Sequence, residues 1–422
     1  MYKADSFPEY KSTIAFESSR TGFTIRAIVW GCAILSFLEP WSVALLVERG
    51  FYPQMISALS GLALAIRMLA SSYGILRVFR QGKLKSHWFL AVVLFALLTF
   101  LSGLMHPSEQ SLLSLFAQSF QLVGMASFLL YCLDASGKEM KSALFICVAI
   151  VTFLAFATIF LTNNGLTHDV AAASRLYSFG GKNLFFVSML PMVMLSAIWP
   201  PWGKRWFPFV LSAVLAVISH YIDSSNSMAC YFILALMLIP IGNGYLFSKV
   251  NPVLAVFLVF AVFAGTVLTS FIADTLGFVF DMLGREQTFS SRDSIWSVAL
   301  NMFLSNPIAG VGSGVSYTVS FSSGDLNTSN AHCFYLGILS QYGLMGFAPF
   351  AVLMTVLVKK GRDGMGNGLV AGCMAAFAAL LLHSVFDDLP LHYMVLLTFV
   401  VFHSCDLSGI TQKPCDDAKR SM

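Results

Sequence analysis

Arg175, Arg292 and His332 are the residues of this chain whose types could do chemistry together. Arg175 stands in SRLYSFGGKNLFF (174–186) with Lys182 and Asn183, Arg292 in SRDSIW (291–296), and His332 in TSNAHCFYLGILSQYGLMG (328–346). Arginine presents a planar fork of donors that matches phosphate oxygens and stays charged. Histidine is the side chain that exchanges protons near neutral pH. An arginine and a histidine held close to one membrane surface suggest chemistry on a lipid-linked, anionic substrate, and charge growing on a leaving phosphate would need arginines or a metal to neutralise it. Asp387 and Asp388, which follow HSVF (383–386), could orient Arg292 or act as a base, and loop solvation explains them equally well.

The surroundings of Arg292 sharpen this reading. Ser291 is a suitable N-cap, and Ile295, Trp296, Ala299, Met302 and Phe303 follow at helical spacing, which predicts an amphipathic helix lying on a membrane surface. A cation in the first turn opposes the helix dipole, whereas an anion there is favoured. A bound phosphate would resolve the conflict; so would pairing with Asp293 or lipid headgroups. Trp296, Tyr317 and Phe321 could stack on sugar faces, although interfacial anchoring accounts better for Trp296. Gly310, Gly312 and Gly314 lack the Lys-Ser/Thr ending of a nucleotide loop and read as a tight turn. The outer loops hold no Asp-x-Asp, close His pair or Cys cluster, so the expectation is metal-independent chemistry without a cofactor. Arg67 lies mid-span and is a functional candidate by position alone, with snorkelling or a structural partner as the alternative, and His383 is similarly open.

The elements that must hold these residues are membrane helices. Of the 422 residues, 57% are hydrophobic and only 11% charged, and the mean hydropathy is +0.77, which makes this a polytopic membrane protein with no basic arm for nucleic acid. Apolar runs predict an all-α integral membrane fold of about twelve spans: 24–46, 55–76, 87–105, 110–133, 141–162, 183–200, 206–222, 226–247, 250–272, 329–357, 367–385 and 389–405. The organisation read from them is a cytoplasmic segment 1–23, nine helices over 24–272, a large extracytoplasmic catalytic loop 273–329, three helices over 330–405 and a cytoplasmic tail 406–422. With both termini inside, nineteen of the 25 Lys and Arg residues fall on the cytoplasmic side, as the positive-inside rule demands. Arg49, Arg175, Lys182, Arg285 and Arg292 are the cations left outside. The polar first 23 residues and the absence of a small-residue cleavage site argue against a removable signal peptide. The eight cysteines form no CxxC or disulfide spacing and read as small apolar packers.

Three blocks, RLYSFGGKN (175–183), SRDSIW through NPIAGVGSG (291–314) and AHCFYLGILSQYGLMG (331–346), occur in an order and spacing that resembles the O-antigen polymerase and O-antigen ligase superfamily of bacterial envelope glycosyltransferases. The likeness covers mostly residues 170–390. It implies transfer of a glycan from undecaprenyl diphosphate on the outer face of the cytoplasmic membrane, with Arg175 and Arg292 (and Lys182 beside them) on the diphosphate and His332 acting on the acceptor hydroxyl. It also implies the bilayer and other polysaccharide assembly proteins as partners. Cys333 stands where the family usually has Asn, and Gln341 where Glu is common. Polymerisation of repeat units on the carrier is the favoured reaction, ligation onto lipid A core or protein the alternative. A lipid-linked oligosaccharide flippase is the reading from another class; such proteins usually show two related halves with midplane sites, and no such repeat is visible.

Overall fold

The computed structural model describes residues 20–38, 53–82, 86–106, 111–135, 137–161, 167–169, 174–200, 203–242, 244–266, 292–321, 324–328 and 330–411. Residues 273–291 of the large loop, including Arg285 and the expected cap Ser291, lie outside the described residues, as do Arg49, the first nineteen residues and Cys415.

The chain is mostly helical, and six of the described helices are long and apolar enough to cross a membrane. In chain order the helices are α1 (Arg20–Leu38), α2 (Pro53–Arg80), α3 (His87–Met105), α4 (Leu112–Ala135), α5 (Gly137–Leu161), α6 (Phe185–Ile198), α7 (Phe207–Tyr221), α8 (Ser225–Met237), α9 (Pro252–Thr266), α10 (Arg292–Ser305), α11 (Phe334–Gly364), α12 (Gly368–Phe386) and α13 (Leu391–Thr411). Short strands interrupt this helical plan. β1 (Thr167–Asp169), β2 (Ser174–Tyr177) and β3 (Gly180–Gly181) form a small antiparallel sheet in which His168 faces Arg175. β4 (Pro240–Ile241) and β5 (Gly244–Tyr245) pair as a tight hairpin, and β6 (Tyr317–Phe321) pairs with β7 (Gly324–Thr328).

Helix α12 is the hub. Almost every residue from Val370 to Val385 is buried, and it packs against α6, α8, α11 and α13. Its small residues make that possible: a Cβ added at Gly372 would lie 2.8 Å from the Cβ of Ala197 in α6. Close backbone approach through small residues is how helices associate where no hydrophobic effect separates protein from lipid. Asn367 caps the helix, its side-chain oxygen accepting from Leu369 N at 3.0 Å, and the chain leaves it at Asp387 in extended conformation.

Two expected spans differ in the structure. The helix expected over 226–247 ends at Met237, because Pro240 has no N–H to donate and Gly242 turns the chain with φ +56°. The helix expected over 329–357 starts at Phe334, runs to Gly364 and is broken at Gly343, where φ is +59° and ψ −154°. The break frees the carbonyls of Ser340 and Gln341 and the amides of Leu344 and Met345. All four are re-satisfied by the segment after α10: Val311 N donates to Ser340 O, Gly312 N to Gln341 O, Leu344 N to Pro307 O and Met345 N to Ile308 O, each at 2.9 Å. Ser102 of α3 donates to the carbonyl of Ala309 and ties the same loop to a third element. Irregular backbone inside a span survives only where protein satisfies it. The glycines of NPIAGVGSG are therefore a splint across a broken helix. Gly310 (φ +70°) and Gly343 face each other so closely that a Cβ at 343 would sit 2.6 Å from Gly310 N.

The apolar face of helix α10 is turned into the protein. Ile295, Trp296 and Ala299 are buried in the protein core, where α10 packs on α11 and β6. At 2% exposure Trp296 is neither an interfacial anchor nor a sugar platform. Tyr317 is equally enclosed, its hydroxyl 2.7 Å from Ser340 Oγ.

Candidate active site

The end of α12 gathers the titratable groups. Asp387 and Asp388 leave its last turn, α10 begins with Arg292 beside them, and the segment 330–333 brings His332 over from the start of α11. Backbone pairing fixes this junction, since Phe334 N donates to Asp387 O at 3.2 Å. His332 has φ +49°, an uncommon value for a residue with a Cβ. Such outliers persist where the surroundings hold them and gather at functional sites.

Asp387 is the centre of the cluster. Its carboxylate lies 3.9 Å from His332 Nδ1 through one oxygen and 4.0 Å from Arg292 Nη2 through the other. These are ion-pair approaches, longer than hydrogen bonds. Arg292 Nη1 donates to the carbonyl of Phe386, fixing the guanidinium against the helix end. The Asp387 side chain is 8% exposed, Arg292 20% and His332 32%, so the acid is enclosed while the two basic groups reach solvent. His332 Nδ1 and Asp387 Oδ2 are buried without a hydrogen-bond partner among the described residues, a costly condition that water or a ligand would relieve.

The two carboxyls are pushed apart. Burial raises Asp387, but the imidazoles of His332 and His383 and the Arg292 guanidinium outweigh it and hold its pKa below the usual value. Asp388 is pushed up to about 7, first by burial and then by the negative charge of Asp387. One acid is thus a fixed anion and its neighbour exchanges a proton near neutrality, the pattern by which environment divides roles between adjacent carboxyls.

A second layer ties the 182–183 segment to this centre. His383, one helical turn before Asp387, is fully buried, stacks on Phe186 with ring centroids 4.8 Å apart, and places Nε2 3.1 Å from the main-chain oxygen of Asn183. Ser227 Oγ donates to the same oxygen at 3.3 Å, and Ser224 Oγ donates to the Asn183 side-chain oxygen at 3.4 Å. Lys182 is engaged elsewhere, 2.8 Å from Asp223. Arg175 lies in β2, close in sequence to this layer; its side chain lies outside the described residues.

The structure thus brings Arg292, His332, Asp387 and Asp388 into one cluster, links Asn183 to it through His383, keeps Lys182 on a separate carboxylate and withdraws Trp296 into the core. Cys333 is buried, its thiol pushed up to about 12 by burial and hence neutral, and Gln341 serves the splint and donates to Tyr317 Oη at 3.3 Å. Ser224 and Ser227 were missed from sequence; the signal was the polar run DSSNS (223–227) between two apolar helices. Among the described residues no group of three or more His, Cys, Asp or Glu is placed to hold a metal ion.

A family model described as O-antigen ligase matches residues 211–351, about a third of the chain, taking in Arg292, the splint, His332 and α11 through its break, and ending before Asp387 and Asp388. No curated protein matches the chain. The family match supports the O-antigen polymerase and ligase superfamily that the sequence blocks resemble.

Proposed function

We propose, with that superfamily as premise, that the chain is a bacterial inner-membrane glycosyltransferase that moves a glycan from undecaprenyl diphosphate to an acceptor hydroxyl at the cluster around Asp387. The observation that carries this reading is the convergence of Arg292 and His332 on one buried carboxylate. Asp387 facing Nδ1 favours the tautomer with the proton there, which leaves Nε2 as the acceptor. In the proposed step the acceptor oxygen bonds to the anomeric carbon, the bond from that carbon to the diphosphate oxygen breaks, and the hydroxyl proton passes to His332 Nε2. Arg292, with donors beyond the one given to Phe386, binds the diphosphate and balances the charge it gains on leaving. Arg175 and Lys182 are assigned to the same diphosphate, Lys182 by exchanging Asp223 for it. The proposal places this cluster on the extracytoplasmic face of a twelve-span chain with both termini inside, the arrangement that the distribution of lysine and arginine favours.

Polymerisation of repeat units on the carrier is the reaction proposed. The printed description of the matching family favours a second reading, ligation of finished glycan onto lipid A core or protein. The test is reconstitution in liposomes with undecaprenyl-diphosphate-linked repeat units, with and without core acceptor. A ladder on the carrier alone establishes the polymerase, and a product that requires core establishes the ligase. Absence of transfer with every native donor and acceptor refutes the glycosyltransferase reading and favours transport. Arg292→Ala and His332→Ala, inserted at normal level, are each expected to abolish transfer.

A further inference from the structure

A groove of about 660 Å³ opens between α9 and the half of α11 beyond its break, lined by apolar side chains such as Val256, Phe347 and Met354 and closed at one end by Lys359, Arg362 and Asp363. Lys360, the neighbour of Lys359, is paired with Asp406 over the Phe402 ring. Lys359 and Arg362 have no carboxylate within ion-pair distance among the described residues. The end of the groove thus carries two uncommitted cations against one acid.

The dimensions select an occupant. From Phe347 to Lys359 the helix rises about 18 Å, close to the ~15 Å hydrocarbon depth of one leaflet. Beyond Gly343 the chain folds back, so that the Phe350 ring lies 5.4 Å from that of Phe334, and Lys359 stands nine residues, about 14 Å, further along the helix. We infer that this groove is a binding site for an anionic phospholipid of the leaflet at the Lys359 end, with an acyl chain along the groove and the phosphodiester between Lys359 and Arg362. Basic groups at the foot of an apolar cleft between spans are suited to such headgroups. Because Phe350 in this half of α11 packs on Phe334, two residues after His332, the lipid would brace the helix against which the active cluster is mounted.

The experiment is native mass spectrometry of the full chain released from bilayers containing phosphatidylglycerol and phosphatidylcholine in equal amounts. The intact protein should retain phosphatidylglycerol preferentially. Lys359→Gln with Arg362→Gln should cost about fivefold per cation and roughly thirtyfold together, while Lys204→Gln with Arg205→Gln, at another helix end, should leave retention unchanged. Val256→Trp, which fills the groove without touching the cations, should also release the lipid and provides the test if the double variant does not insert. Equal retention of the two lipids, indifference to both groove variants, or displacement of phosphatidylglycerol by undecaprenyl phosphate from this groove overturns the inference.

Discussion

Replacing Asp387 by Asn removes one charge while keeping the shape of the junction between α11 and α12. The carboxylate stands 3.9 Å from His332 Nδ1 and 4.0 Å from Arg292 Nη2. At an effective dielectric of about 20, a unit charge at that distance is worth about 4 kcal/mol; His332 and Arg292 are 32% and 20% exposed, and solvent screening reduces this to about 2 kcal/mol. If His332 becomes positive as it takes the acceptor's proton, loss of the Asp387 charge removes that stabilisation from the transition state. Transfer should slow between about thirtyfold and about a thousandfold, with the protein still inserted because the backbone bond from Phe334 to residue 387 remains. The assay is initial rate of glycan transfer in liposomes at matched protein level. In the His332→Ala background the Asp387→Asn change should cost little more, since residues that act as a unit are non-additive. Asp387→Asn activity within threefold of the unmodified protein, or full additivity with His332→Ala, refutes the coupling of acid and histidine.

Other consequences are more direct. Gly343→Ala puts a methyl against Ile308 and Gly310 at a position with φ +59° and should destabilise the protein by at least about 1–3 kcal/mol, read as a lower melting temperature in detergent; an unchanged melting temperature would remove the splint from the account. The raised pKa of Asp388 means the folded state holds a proton, between roughly pH 4 and about 7, that the unfolded chain has released. Its stabilising contribution is complete at low pH and is lost as pH rises through about 7, so Asp388→Asn should melt higher than the unmodified protein at pH 8 and equal to it near pH 4, and an identical pH dependence in the two would contradict the assignment. EDTA is expected to leave transfer intact if arginine alone neutralises the diphosphate, and loss of activity restored by Mg²⁺ would show otherwise.

Hydropathy read the chain well wherever a helix depends only on its own residues. The span expected at 87–105 coincides with α3, and the helix that opens at Arg292 is present, because a continuous apolar run and a spaced apolar stripe are local properties. What escaped depends on partners distant in sequence. The break at Gly343 is stable only because residues 307–312 replace its helical hydrogen bonds, and a window that averages apolarity records depth in lipid without recording backbone path. Trp296 misled for a related reason: a helix beside a membrane has two apolar environments available, and composition does not distinguish a neighbouring helix from lipid.

The same contrast explains how the cluster is built. Arg292 and His332 are forty residues apart in sequence, and their shared partner Asp387 stands another fifty-five beyond. Nothing periodic connects them, so sequence could nominate each by chemical type without showing that one carboxylate faces both. The connection is made by backbone: the splint fixes the exit of α10 to α11, and Phe334 fixes the entry of α11 to the end of α12. Helices α10, α11 and α12 are thereby locked at their junctions, and Asp387 sits where the locks meet. An anion placed there draws both basic groups to one spot while leaving them accessible to solvent, the condition a site needs if a charged leaving group is to arrive and depart.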